Sequence, residues 1–195
     1  MDRLKLEFPT MVREKDALEF IEEFYDNNSE INGTGGLQRY MDDYVGWIEK
    51  INKDLNKEPD EERVPAETYF LVRESDDRIV GMINIRLALN YKLWNNGGHI
   101  GYSIRPSERR KGYNNINLYL ALIVCANRGL EAVLLDCDKE NLGSSKTIQA
   151  LGGKMIYEYF DSEKNITIQN YVIDIEKSLA ENRERFSEMI AEYPG

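Results

Sequence analysis

The sequence predicts an α+β domain: a central, mixed but mostly antiparallel sheet of about seven strands, flanked by helices and followed by an extra C-terminal helix. Three observations predict it. Apolar residues recur at three- and four-residue intervals in the N-terminal segments, and from Thr68 the pattern changes to that of strands. A later strand also ends in a basic, glycine-containing turn that opens directly into a helix. At 195 residues, with 42% hydrophobic and 31% charged side chains, the chain is long enough to bury one core without disulfides or a structural metal. The expected division is one domain over residues 1–175 and a helical extension over 176–195.

Residues 3–8 alternate like a short first strand, which Pro9 and Thr10 end. Residues 14–25 then place Ala17, Leu18, Ile21, Phe24 and Tyr25 on one face of a helix. After the flexible turn NGTGG at residues 32–36, the apolar positions from Leu37 to Leu55 predict a second amphipathic helix. Residues 68–74 and 79–89 form a hairpin pattern around the turn at residues 75–78. A loop carrying Tyr91, Trp94 and Gly97-Gly98 leads into the strand HIGYSIR, which ends at Pro106.

Residues 111–127 read as a helix stopped by Gly129, and AVLLDCD at 132–138 as a strand buried on both faces. A shorter helix over 141–151 closes at Gly152-Gly153. Two last strands, 154–160 and 166–174, flank a polar turn, and residues 178–193 form a final helix in which Ser178 and Glu181 have capping-box spacing. The stripe Leu179, Phe186, Met189, Ile190 must be covered by the parent domain or by a second copy in a homodimer.

Thirty-five acidic against twenty-five basic residues give a net charge of -10, which argues against nucleic acid and anionic membranes as partners and favours a cationic substrate such as an amine. Cys125 and Cys137 lie in apolar sequence and are expected as buried free thiols in a reducing compartment. With no signal-peptide pattern and no run long enough to span a bilayer, the expected location is cytoplasmic.

The chemistry concentrates in residues 100–122. A helix start offers unpaired N–H groups and the positive end of the helix dipole to an anion. Gly112 lets a ligand approach the main chain closely, and Arg109, Arg110 and Lys111 add positive charge.

This segment resembles the pyrophosphate loop of the GNAT acetyltransferases, Q/R-x-x-G-x-G/A between a strand and a helix. Arg109-Arg110-Lys111-Gly112-Tyr113-Asn114 matches it except at its last position. Asn141-Leu142-Gly143-Ser144 followed by Leu151-Gly152-Gly153 is similar to the family's second motif, and the order of elements agrees along nearly the whole chain.

The resemblance implies an N-acetyltransferase that moves an acetyl group from acetyl-CoA to a primary amine of a small molecule or peptide, with no metal. It implies that Arg109, Arg110, Lys111, Gly112, Tyr113 and Asn114 cradle the pyrophosphate, and that Ile104 and its neighbours pair by main chain with the pantetheine arm. Asn141 would bind that arm from the other side, with Ser144 near the thiol or the phosphates.

Two departures leave the mechanism open. Asn114 stands where the family has Gly or Ala, so its side chain either crowds the pyrophosphate or turns aside to donate a hydrogen bond. Ile148 falls where many relatives carry a tyrosine that protonates the leaving thiolate, leaving Tyr157 or Tyr159 as substitutes. His99, the sole histidine, is the candidate base. Asn84, Arg86 and Tyr102 are candidates for the acceptor pocket, which the NGTGG turn, the second helix and the Tyr91 to Trp94 loop, with Trp94, would border. A non-catalytic acyl-CoA binding or sensing protein is the alternative.

Overall fold

The computed structural model describes residues 2–194. Its strands are β1 (Leu4–Glu7), β2 (Ala66–Arg73), β3 (Arg78–Arg86), β4 (Ile100–Ile104), β5 (Ala132–Asp138), β6 (Lys154–Asp161) and β7 (Ile166–Asp174). The helices are α1 (Glu14–Asp26), α2 (Tyr44–Leu55), α3 (Tyr91–Asn95), α4 (Tyr113–Asn127), α5 (Leu142–Ala150) and α6 (Ile175–Phe186).

The seven expected strands divide into two sheets, ordered β1-β2-β3-β4 and β5-β7-β6, each with antiparallel neighbours. The sheets touch where the His99 N–H donates to the Leu134 carbonyl at 2.7 Å. β4 is therefore an edge strand of its sheet, and its outer side opens toward the starts of α4 and α5.

Two apolar clusters hold the layers together. Ala17, Phe20, Ile21 and Phe24 of α1, with Tyr44, Trp47 and Ile51 of α2, pack on Phe70, Val72, Ile79 and Met82 of the first sheet. On the opposite face lies α4, whose residues are apolar almost all round because β1, β3, β4, α5 and α6 surround it.

Three local expectations are corrected. The helix predicted over 37–55 is interrupted: Leu37–Arg39 forms one 3-10 turn, and α2 begins at Tyr44 because the Asp43 carboxylate accepts the Gly46 N–H at 2.9 Å as an N-cap. The segment expected as a loop forms α3, capped by Asn90, whose side chain accepts from the Leu93 N–H at 3.0 Å. The last helix starts at Ile175, not Ser178. Asp174, the final residue of β7, accepts the Lys177 N–H at 3.0 Å, and Ser178 is buried inside the helix.

Phe186 and Ile190 join the main core, with Leu179 and Met189 packed against it, so the parent domain covers the apolar stripe. Leu4 exchanges main-chain hydrogen bonds with Met189 and Ala191, and this covers the outer edge of β1. Cys125 and Cys137 are buried free thiols, and burial pushes them up to about 12 and about 11. Among the described residues, no helix is long and apolar enough to cross a membrane.

Candidate functional site

The turn between β4 and α4 begins with a 3-10 turn at Pro106–Glu108. Arg110 (φ 64°) and Gly112 (φ 81°) then both take left-handed conformations before α4 starts. Left-handed backbone costs a non-glycine residue, so Arg110 needs the turn to be held from outside. Glu108 holds it. Its carboxylate, 3% exposed, accepts from Arg73 at 2.7 Å, Arg78 at 3.0 Å and Lys111 at 2.7 Å. Burial works to raise the Glu108 pKa, but the hydrogen bonds and charges of Arg73 and Lys111 more than offset it and hold the carboxyl below the usual 4.5.

Glu108→Ala leaves three cations facing each other without their carboxylate, and is expected to cost about 3 kcal/mol of stability, read as a lower urea midpoint. Because the folded value is depressed, the Glu108 contribution is complete above the unfolded value and lost as pH falls through the folded one. The gap between wild type and a Glu108→Gln chain is therefore expected to be widest at neutral pH and to close below pH 4.5.

Among the described residues, the main-chain N–H groups of Arg110, Lys111, Gly112, Tyr113 and Asn114 have no hydrogen-bond acceptor. Five consecutive free donors at the positive end of a long helix are an arrangement able to hold an anion. All of these residues but Lys111 line a cavity of about 660 Å³, together with Tyr102, Ser103 and Ile104 of β4, Asn141, Gly143, Ser144 and Thr147 at α5, and Ser29, Glu30 and Asn32 after α1. This volume is ordinary for a ligand cleft.

The expected loop residues divide by task. Arg110 lines the cavity and has no ion pair among the described residues. Arg109 ties the wall together, donating to the Ile104 carbonyl at 3.2 Å and the Ser29 hydroxyl at 2.7 Å. Lys111 turns to Glu108 and does not line the cavity. Tyr113 anchors the helix start through its hydroxyl, which donates to Asp2 and accepts from Arg73 at 3.1 Å.

Asn114 reaches sideways, its Nδ2 donating to the Thr147 hydroxyl at 3.3 Å across the cleft, while its buried Oδ1 has no partner among the described residues. Asn141 is the α5 N-cap, accepting the Ser144 N–H at 3.1 Å. The hydroxyls of Ser144 and Tyr102 lie 2.9 Å apart. Tyr102, expected in the acceptor pocket, thus stands in this cavity. Burial pushes its hydroxyl well above the usual tyrosine value, and the hydrogen bond to Ser144 only partly offsets this. Ile148 is fully buried in the core.

A second cavity of about 650 Å³ shares Asn32 with the first. It is lined by the NGTGG turn, Lys50 and Asp54 of α2, Asn84 and Arg86 of β3, and Leu93 of α3. The three segments expected to border an acceptor site do meet here, although Leu93 rather than Trp94 is the α3 residue in its wall. Asn84 donates to the Thr68 hydroxyl at 3.0 Å, and Arg86 Nη1 donates to the carbonyls of Gly97 and Gly98, both at 2.8 Å.

Gly33 lets the turn lie on β4. A Cβ there would stand 2.2 Å from the Gly101 oxygen, and the φ of +70° is already unfavourable to any other residue. Gly33→Ala is expected to lose about 2 kcal/mol of stability and to deform the partition between the cavities, read as a lower urea midpoint and altered hydrogen exchange at β4.

Tyr157 is exposed on β6, stacked on Tyr159 with ring centres 6.3 Å apart, and borders neither cavity. Nor does His99. Its Nδ1 accepts the Leu134 N–H at 2.9 Å, so the proton of the neutral ring sits on Nε2; burial and the nearby Arg86 charge push its pKa below 6.5. The residues missed by sequence reading include Ser29 and Thr147. Thr147 carried a signal, standing one helical turn beyond Gly143 and Ser144; Ser29 carried none.

The acetyltransferase (GNAT) domain family model matches residues 5–154, and the chain belongs to that family. Its fold is similar to that of the spermidine/spermine N-acetyltransferase SpeG from Vibrio cholerae, with a TM-score of 0.61 and 16% identity over 92% of this chain and 98% of that one. The microcin C7 self-immunity acetyltransferase MccE, in complex with acetyl-CoA and AMP, has a TM-score of 0.65 at 16% identity over 89% and 93%. RimJ from Mycobacterium smegmatis, in complex with CoA-disulfide, has a TM-score of 0.69 at 11% identity over 93% and 92%. At such identities the likeness is one of fold. No curated protein matches the chain.

Proposed function

We propose that this chain is an N-acetyltransferase that moves an acetyl group from acetyl-CoA directly to a primary amine on a small molecule or peptide. The observation that carries the reading is the run of free N–H groups from Arg110 to Asn114 around the first cavity. Its residues fit the co-substrate: the nest and the Arg110 side chain suit phosphates, and the free side of β4 at Tyr102–Ile104 suits an extended amide-bearing arm. The partnerless Asn114 Oδ1 offers that arm an acceptor. Acetyl-CoA would supply an activated acyl group as a thioester.

The chain's own residues then position and move protons. Tyr102 keeps its proton at neutral pH and is assigned the delivery of that proton from its hydroxyl to the leaving sulfur, oriented by Ser144. This is the task first considered for Tyr157, which is exposed on β6 outside both cavities. Because the Nδ1 lone pair of His99 is engaged with Leu134, we assign His99 to fastening β4 against β5, and the proton of the amine to exit through water. Asn84 and Arg86 belong to the acceptor wall.

A binding-only sensor is the second reading, favoured by the burial of Ile148 where many relatives carry the acid. Thiol release from acetyl-CoA, measured against a panel of primary amines, separates the two. Amine-dependent turnover supports the transferase; saturable acetyl-CoA binding without turnover on any amine supports the sensor and overturns the transferase.

A further inference from the structure

The second cavity has a charge opposite to that of the chain. Four cations, Arg39, Lys50, Arg63 and Arg86, line it with two carboxylates, Asp54 and Glu62, in a protein of net charge -10. Lys50 and Asp54 neutralise each other at 2.7 Å, and Lys50 also donates to the Gly35 carbonyl at 2.8 Å. Among the lining residues only Glu62 is left to oppose three arginines, and behind the wall the Asp136 carboxylate acts on Arg86. None of the three lies within 4.0 Å of a carboxylate among the described residues, although the chain has acidic side chains to spare.

Arg86 is the most informative. Neutral carbonyls of Gly97 and Gly98 fix one end of its guanidinium. They leave the group partly buried beside the cavity, with the charge of Asp136 acting on it only from beyond 4.0 Å. Placing an unpaired cation there costs solvation free energy that a bound anion would return. Arg39 and Arg63, both exposed, come from the segment before α2 and the segment before β2, so three distant parts of the chain bring arginines to the wall of one concavity. Forks of N–H donors are matched to the paired oxygens of carboxylates and phosphates.

We propose that the acceptor amine carries its own anionic group, a carboxylate or phosphate, which Arg39, Arg63 and Arg86 hold while the amine faces the first cavity. The inference rests on the acetyl-transfer reading for the identity of the second cavity as the acceptor site. It reverses what the bulk charge suggests: the acidic surface would repel such a substrate at long range, and the local field of the cavity would select it at short range.

The test is calorimetric titration of four probes into the protein saturated with CoA: O-phosphoethanolamine, β-alanine, ethanolamine and spermidine. At least one anionic amine is expected to bind about 10-fold or more tighter than ethanolamine and spermidine. Comparison of phosphoethanolamine with β-alanine assigns the anion. The exposed pair Arg39→Glu/Arg63→Glu is expected to abolish the preference while CoA affinity and the urea midpoint stay unchanged. Equal or tighter binding of ethanolamine or spermidine, no binding of either anionic probe, or an unchanged preference in the double variant would overturn the proposal. Anionic selectivity without turnover on any amine would leave the charge assignment standing and remove the transferase reading instead.

Discussion

Gly112→Glu is expected to weaken acetyl-CoA binding by on the order of 1,000-fold. The Gly112 Cβ position has no heavy atom within 4 Å, so a glutamate has room to form, and its carboxylate would stand at the nest that the free N–H groups create. One added negative charge about 4 Å from a phosphate costs about 4 kcal/mol at the effective dielectric of a protein surface, which corresponds to that fold-change. Gly112→Ala separates charge from strain. It places an ordinary residue at φ 81° and costs about 1 kcal/mol of stability, with only a small loss of affinity. The two dissociation constants, measured by calorimetry, check the pair; a similar loss in both would shift the explanation from electrostatics to backbone shape.

Tyr102→Phe is expected to lower kcat by about 100-fold or more while leaving KM for acetyl-CoA within about 3-fold. The ring volume is kept and only the hydroxyl beside Ser144 is lost, so folding should be unaffected. Burial opposes ionisation of Tyr102, so the acid form persists above the ordinary tyrosine value of 10.0 and wild-type kcat should not fall on the alkaline side before that pH. A Tyr157→Phe chain should retain full activity, since that ring lies outside both cavities. Equal losses in the two variants would remove the proton-delivery assignment.

Much of the fold is visible in local pattern. The change from helical to strand periodicity at Thr68 and the basic turn before Gly112 depend on neighbouring residues, and β5 coincides with its predicted span, Ala132–Asp138. The errors arise where two local signals compete. Asp43 and Asp174 cap their helices because each stands where the chain leaves a turn or strand, whereas the apolar period before α2 and the Ser178–Glu181 spacing suggested other starts. The division into two sheets was not visible, because it depends on β5 finding β7 as its ladder partner while touching β4 only near His99.

The site divides in the same way. The turn at Arg110 to Asn114 could be located because a run of free main-chain donors, the arrangement that suits an anion, is built from consecutive residues. Arg39, Arg63 and Arg86 come to one cavity only through tertiary packing, and no spacing in the sequence announces them. The His99 contact with the Leu134 N–H is likewise long-range, and it ties up the lone pair that made the residue a candidate base.

The central claim is that the main-chain donors around Gly112 hold the diphosphate of coenzyme A. Calorimetric titration of the unaltered chain with coenzyme A tests it most directly. The expected result is saturable one-to-one binding in the micromolar range that weakens with added salt. Absence of heat at millimolar ligand would contradict it.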